Sequence, residues 1–324
     1  MQEIELKFQI PTEALATLSA DIERLPGHDR ERLQAHYFDT PDRLLGQARS
    51  ALRLRKEGER WVQTLKASGA NTMIRLEDNQ AASAPADGQA ARVDLGLHRG
   101  TPAEAALVRH LAWDPGQDPR GDGTGLVELY RTDIWRHSAR LAVGQGTPHA
   151  GVVELALDIG HIHAGHLSVP VRELEIELVQ GHPAAVLESA RDWVTAHALW
   201  LDTQTKAHRG DRLARQAEGK VPGHAPPQAG TPPLDLATAL DAFTAAMSEV
   251  ASSPDARVDQ VDDWLLAAHR LALLNQTRPG SLPERLQPGI EALVHEIETA
   301  ASPARLARAT PSTLLCLDLF ATLL

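Results

Sequence analysis

Glu3, Glu5 and Lys7 alternate with Ile4, Leu6 and Phe8 in the opening EIELKF, so a strand there projects two carboxylates and an ammonium from one face. The same pattern returns further along the chain. Arg53 and Arg55 face away from Leu52 and Leu54, Lys66 shares a face with Val62 and Thr64, and Arg75 shares one with Glu77. In RELEIELV, Glu173, Glu175 and Glu177 stand in line against Leu174, Ile176 and Leu178. A lone strand of alternating charge is ordinarily a solvated sheet face. Here one strand concentrates glutamates and another arginines, and like charges in register are costly unless an opposite charge neutralises them. Divalent cations would neutralise the glutamates, and a polyanion the arginines and lysines.

Period-two alternation predicts strands over Glu3–Gln9, Ala51–Lys56, Trp61–Lys66, Met73–Asp78, Val152–Asp158 and Arg172–Val179. Helices are expected over Thr12–Leu25, Pro102–Trp113 and Pro183 to about Leu199. Asn79–Ala91 and Asp114–Gly125 have the polar, small and glycine-rich composition of surface loops. The Pro/Gly-rich stretch 216–233 divides this part from a tail with apolar residues spaced by three and four, predicting helices over Leu234–Val250, Arg257–Asn275, Pro283–Ala300 and Pro311–Leu324.

The length of 324 residues suits two domains, expected at 1–215 and 234–324 around that linker. A net charge of -11, from 43 acidic and 32 basic residues, disfavours a nucleic-acid partner. The amino terminus shows no basic region followed by an apolar run, and the apolar Thr313–Leu324 is too short to span a bilayer, so a cytoplasmic location without membrane contact is expected. The single cysteine, Cys316, excludes an internal disulfide and reads as a small buried residue.

The opening EIELK resembles the ExExK signature of the CYTH domain, a member of the triphosphate tunnel metalloenzymes. YFDTPDRLL (37–45), ALRLRKEGERWVQTLK (51–66), RTDIWR (131–136), VELALDIG (153–160), RELEIEL (172–178) and TKAHRG (205–210) resemble successive family blocks in family order. The resemblance covers about the first two thirds of the chain. It implies an α+β fold, with an eight-stranded antiparallel β-barrel forming a charged tunnel, flanking helices and a small all-α domain after it. An eight-stranded barrel has room for side chains or one small ligand.

The same resemblance implies that Glu3, Glu5, Glu175 and Glu177 hold one or two Mg²⁺ or Mn²⁺ ions. Lys7, Arg53, Arg55, Lys66, Arg75, Arg136 and Lys206 would grip phosphate oxygens, and catalysis would rest on Glu5, Glu175, Glu177 and Lys7. Glu77, Glu154 and Glu173 face the same way. The implied reaction is metal-dependent hydrolysis of tripolyphosphate to pyrophosphate and phosphate. Thiamine-triphosphate hydrolysis, adenylate cyclisation of the class IV type and non-catalytic polyphosphate binding are the alternatives. The tail resembles the first part of a CHAD domain, poor in that domain's basic groups.

Other signals carry less. His161, His163 and His166 in GHIHAGH read as a hairpin turn beside Gly165 rather than a metal site. The glycines at 121–125 lack a P-loop lysine, and the six tryptophans read as core packing rather than base stacking.

Overall fold

The computed structural model describes residues 2–71, 74–85, 89–220, 235–253 and 255–324, with the side chains of 2, 3, 68–71, 74 and 75 left out. The strands are β1 (Gln2–Gln9), β2 (Asp29–Asp39), β3 (Ser50–Glu57), β4 (Arg60–Asn71), β5 (Ile74–Ala82), β6 (Val127–Val143), β7 (Gly151–Ala164), β8 (Leu167–Gly181) and β9 (Trp200–Leu201). They form one antiparallel sheet in the order β5-β4-β3-β2-β6-β7-β8-β1-β9. In addition, the first residues of β1 pair with β5, Gln2 to Ile4 against Leu76 to Ile74. The sheet thus has nine strands where eight were expected, the extra one being the two-residue β9 on the edge of β1.

Helices α1 (Leu15–Glu23), α2 (Leu44–Gln47), α3 (Pro102–Leu111), α4 (Ala184–His197) and α5 (Lys206–Ala217) flank the sheet. The tail contributes α6 (Leu236–Ser252), α7 (Val258–Ala272), α8 (Leu274–Thr277), α9 (Gln287–Thr299), α10 (Pro303–Ala307) and α11 (Thr310–Phe320). Among the described residues the tail therefore has six helices against the four expected, because short turns split and supplement the periodic stretches. Helix α5 continues to Ala217, into the expected linker, most of which lies outside the described residues. Met73, expected in a strand, also lies outside them.

Alternation in the strands sorts side chains onto two faces. Leu6 and Phe8 of β1, Val153 and Leu155 of β7, and Leu174 and Ile176 of β8 are buried in one apolar core. That core also takes in α1, α4 and tail residues such as Phe243, Trp264, Leu271 and Phe320, so the tail packs on the sheet. Leu52 and Leu65 are buried on the corresponding face of β3 and β4, against Leu107 of α3. The charged residues between them therefore point to the other face.

One end of that face is covered by α5. Thr205 caps this helix by accepting from the amide of His208. Its Leu213 and Ala214 pack with Tyr37 and Tyr130. Gly210 lets the helix lie against the Tyr130 ring, since a Cβ there would come within 2.2 Å of a ring carbon.

Several expectations need correction. Strands β2 and β6 were not anticipated, and β5 runs three residues past Asn79 into the expected loop. The His-rich hairpin exists, but His161 and His163 lie within β7, and only Gly165 and His166 form the turn. Trp135 is 41% exposed on β6 beneath the Arg30 guanidinium instead of packing in a core. Cys316 is fully buried, and burial pushes its thiol up to about 12. Among the described residues no helix is long and apolar enough to cross a membrane.

Candidate functional site

Register across the sheet turns the linear pattern into rows of charge. Glu5 of β1 lies beside Glu177 of β8, which lies beside Glu154 of β7, so three carboxylates stand next to one another. The next row holds Lys7 beside Glu175, and the one after it runs Gln9, Glu173, Asp158 and Arg136. On the other side of the same face β3 places Arg53 beside Tyr37 and Arg55 beside Ala35, while Lys66 of β4 pairs with Glu77 of β5. These groups, Gln9 and Glu173 excepted, line one cavity of about 1660 Å³, whose wall also includes Gln204 and Lys206. Residues of α6 and α7 complete that wall, among them Asp241, Glu249, Asp263 and Arg270.

Three groups of partners can be separated by their electrostatics. In the first, cations and carboxylates neutralise one another. Arg136 donates both arms to Asp158, at 2.7 Å each, and one of them also to Glu175 at 2.6 Å. Lys206 Nζ sits 2.6 Å from Asp158 and 2.8 Å from Glu175, and pairs with Glu173 as well. Burial alone would discharge Lys206, but Asp158, Glu173 and Glu175 outweigh it and hold the ammonium well above its ordinary value. Burial likewise disfavours the Glu175 carboxylate, yet Lys206 and Arg136 keep it well below the usual carboxylate range. Lys7 belongs to this group too, because its Nζ donates to Asp202 at 3.0 Å and to the Gln204 carbonyl at 2.5 Å.

The second group is acidic. Burial first, and then Glu5, Glu77 and Glu154, raise the Glu177 carboxyl to about 7 against the opposing pull of Lys66. The third group is basic. Burial and the neighbouring Arg53 and Arg136 pull the Arg55 guanidinium below its ordinary value, although Glu57 accepts from its Nε at 2.7 Å. Among the described residues Nε of Arg53 is buried with no hydrogen-bond partner. A buried donor of this kind costs free energy until an oxygen reaches it.

The structure therefore brings Glu5, Lys7, Arg53, Arg55, Lys66, Arg136, Glu175, Glu177 and Lys206 to one cavity. The side chains of Glu3 and Arg75 lie outside the described residues, though their backbones pair across β1 and β5. Sequence reasoning missed Asp158 and Asp202, the carboxylates that hold Arg136, Lys206 and Lys7. Asp158 stands two residues beyond Ala156 on the Glu154 face of β7, a spacing that could have found it. Asp202 follows the two-residue β9 and had no such signal.

Asp158, Glu173 and Glu175 offer carboxylate oxygens within 4.8 Å of one another, close enough to share a cation. Arg136 and Lys206 already occupy that position, so it is neutralised within the chain. Glu5, Glu154 and Glu177, neighbours in register, are a second carboxylate set that could hold a divalent ion. Hard oxygen ligands suit Mg²⁺ or Mn²⁺, and the cluster's mutual repulsion is what such an ion relieves.

A family model described as the CYTH domain matches residues 1–210. The inorganic triphosphatase of Haemophilus influenzae is 25% identical over 212 residues, which are 65% of this chain and 54% of that protein. The chain thus spans about half the length of that curated relative. Among solved structures, a Hippeastrum protein studied as an adenylyl cyclase and described as having a dominant triphosphatase activity aligns over 68% of this chain and 97% of its own. It does so at 19% identity with a TM-score of 0.44. An adenylate cyclase candidate from Bacillus halodurans aligns over 60% and 88%, at 22% identity with a TM-score of 0.36.

Proposed function

The chain belongs to the CYTH domain family, and on that premise we propose that it hydrolyses tripolyphosphate to pyrophosphate and phosphate with a divalent metal ion. The observation that carries this reading is the segregation of charge within one cavity. The guanidinium groups of Arg53, Arg55 and Arg136 lie near one another in a cavity that also holds the Glu5, Glu154 and Glu177 row. In this reading β1 to β8 enclose a tunnel, residues 1–215 form the catalytic domain and 234–324 a partial CHAD-like unit. Similarity to an inorganic triphosphatase favours an inorganic substrate over a nucleotide or a thiamine ester.

Arg53 and Arg55 supply planar forked donors to phosphate oxygens, the orphaned Nε of Arg53 gaining its missing acceptor, while Lys66 supplies a point charge. Arg136, held in place by Asp158, lends its field to the same end of the substrate. Lys206 and Arg136 keep Glu175 ionised and fixed in position, with Lys7 beside it in register. Glu5 and Glu177, with Glu3 and Glu154, would hold the metal, and Glu175 adds negative charge beside them. A bound divalent ion supplies charge neutralisation at the scissile phosphoanhydride and lowers the pKa of a coordinated water. A carboxylate of the same cavity would orient the attacking water.

The direct test is phosphate release from tripolyphosphate, ATP and thiamine triphosphate with Mg²⁺ or Mn²⁺ and after chelation. Tripolyphosphate should be favoured in kcat/KM by about tenfold or more, and chelation should abolish release. Faster hydrolysis of either organic triphosphate would overturn the substrate assignment, and turnover indifferent to chelation would overturn the metal.

Glu177 sets a pH dependence of known sign. Its carboxyl is raised to about 7 in the folded chain, so below that pH a proton must leave before a cation can bind. Calorimetric titration with Mn²⁺ should show apparent affinity falling about tenfold per unit as pH drops below 7, and levelling above it. A flat profile between pH 6 and pH 8 would remove Glu177 from the metal set.

A further inference from the structure

Residues beyond 210 lie outside the CYTH match, yet α6 reaches the segment that carries two of the site's charged groups. Ser248 is 1% exposed on this helix. Its Oγ donates to the Thr244 carbonyl one turn earlier, at 2.8 Å, which leaves its lone pairs free to accept. They accept from the Thr203 amide at 3.0 Å and from the Thr203 hydroxyl at 3.2 Å. Next along the chain, Gln204 Nε2 donates to the Ser248 carbonyl and to Ser252 Oγ, both at 3.2 Å. The clamp is therefore made of hydrogen bonds at successive residues, not of apolar contact alone.

The clamped turn has its other side in the cavity. Asp202 accepts from Lys7 Nζ at 3.0 Å, from Gln9 Nε2 at 2.7 Å and from the Gln204 amide at 2.8 Å. The Gln204 carbonyl accepts from Lys7 Nζ at 2.5 Å, and two residues later Lys206 opens α5 and reaches Asp158 and Glu175. A shift of Thr203 and Gln204 would move both acceptors of Lys7 and the start of the helix bearing Lys206. Lys206 is paired with Glu175, and Lys7 lies beside Glu175 in register, next to the metal-binding row.

We propose that Ser248 is a positioning residue for the tunnel site, through which the C-terminal helical segment fixes the turn 202–205 and hence Lys7 and Lys206. The proposal rests on the triphosphatase reading given above and adds to it a role for the tail. An alanine at 248 would preserve the helix but strand the Thr203 amide, whereas a threonine would keep the hydroxyl.

The test uses the full chain with Ser248→Ala, Ser248→Thr and Ser252→Ala, assayed on tripolyphosphate with Mn²⁺. Ser248→Ala should lower kcat by about tenfold with KM within about twofold, because Arg53 and Arg55 of β3 lie outside the clamp. Its melting temperature should stay within about 5 °C of the wild type, and Ser248→Thr should recover most of the lost kcat. Ser252→Ala, which removes one of the two acceptors of the Gln204 side-chain amide, should show the smaller loss. Wild-type kcat in Ser248→Ala, or threonine no better than alanine, would overturn the proposal. Hydrogen exchange over residues 200–206 provides a readout without substrate and should quicken in Ser248→Ala alone. If the wild type turns over no tripolyphosphate, the triphosphatase reading fails; unchanged exchange in Ser248→Ala would then separately defeat the clamp.

Discussion

Glu5→Ala should lower kcat on tripolyphosphate by on the order of 100-fold or more while leaving the metal-free chain folded. The reason for the second half is electrostatic. Glu5 is 7% exposed, lies beside Glu177 in register, and contributes to raising that neighbour's carboxyl. Removing it takes a like charge away from Glu177, and this relief opposes the loss of Glu5's own contacts, so the metal-free melting temperature should stay within about 5 °C of the wild type. The same removal deletes a hard oxygen ligand, so Mn²⁺ should raise the melting temperature of the wild type but not of the variant. This pairing of lost turnover with kept stability separates a functional carboxylate from a structural one. Near-normal turnover, or a stability loss large enough to account for the missing activity, would refute the role given to Glu5.

The alternation that places Glu5 could be recognised in sequence because strand side chains repeat every second residue and each strand here buries its apolar half. Leu6, Phe8, Leu52, Leu54, Leu174 and Ile176 are all at 2% exposure or less, as that pattern demands. Strands β2 and β6 escaped recognition for the converse reason. Their cavity face carries Ala35 and Tyr37, or Tyr130, Thr132, Ile134 and Arg136, which mixes apolar and polar groups and blurs the period. The charged residues themselves were legible, but their partners were not. Lys7 was expected to grip phosphate, whereas its ammonium is bound to Asp202 and the Gln204 carbonyl, nearly 200 positions away in sequence. A single sequence without pairing information cannot distinguish a cation with an internal counter-ion from one such as Arg53, whose Nε still lacks an acceptor. The tail's part in the site was hidden in the same way, because Ser248 and Ser252 look like ordinary helix residues until Gln204 is seen against them.

Lys206 is the position where loss of one internal counter-ion should matter most for the fold. Its ammonium pairs with Asp158, Glu173 and Glu175, of which Asp158 and Glu173 have side chains 1% and 0% exposed. Lys206→Met keeps most of the apolar stem, so the substitution isolates the charge. Arg136 still compensates Asp158 and Glu175, and Arg209 and Lys7 still reach Glu173 at 3.1 and 3.6 Å, but Lys7 is shared with Asp202, so four carboxylates would then face three cations. Breaking a buried ion pair from one side costs about 3–5 kcal/mol, which for a chain of this size is a fall in melting temperature of roughly 6–20 °C. The sign of the pH dependence follows from the carboxylates. In the wild type Lys206 helps hold Glu175 and Asp158 below their ordinary values, a contribution fully present above the unfolded carboxylate range and lost only as pH falls from there through the depressed folded values. Without Lys206 those groups take up protons more readily, so the deficit should be greatest near pH 7.5 and shrink toward pH 5. Denaturant unfolding of both proteins at the two pH values measures this directly. A Lys206→Met chain as stable as the wild type at pH 7.5 would mean that Arg136, Arg209 and Lys7 suffice to neutralise the cluster. A deficit that grew toward pH 5 would contradict the ionised state assigned to Glu175, and with it the electrostatic division of the cavity.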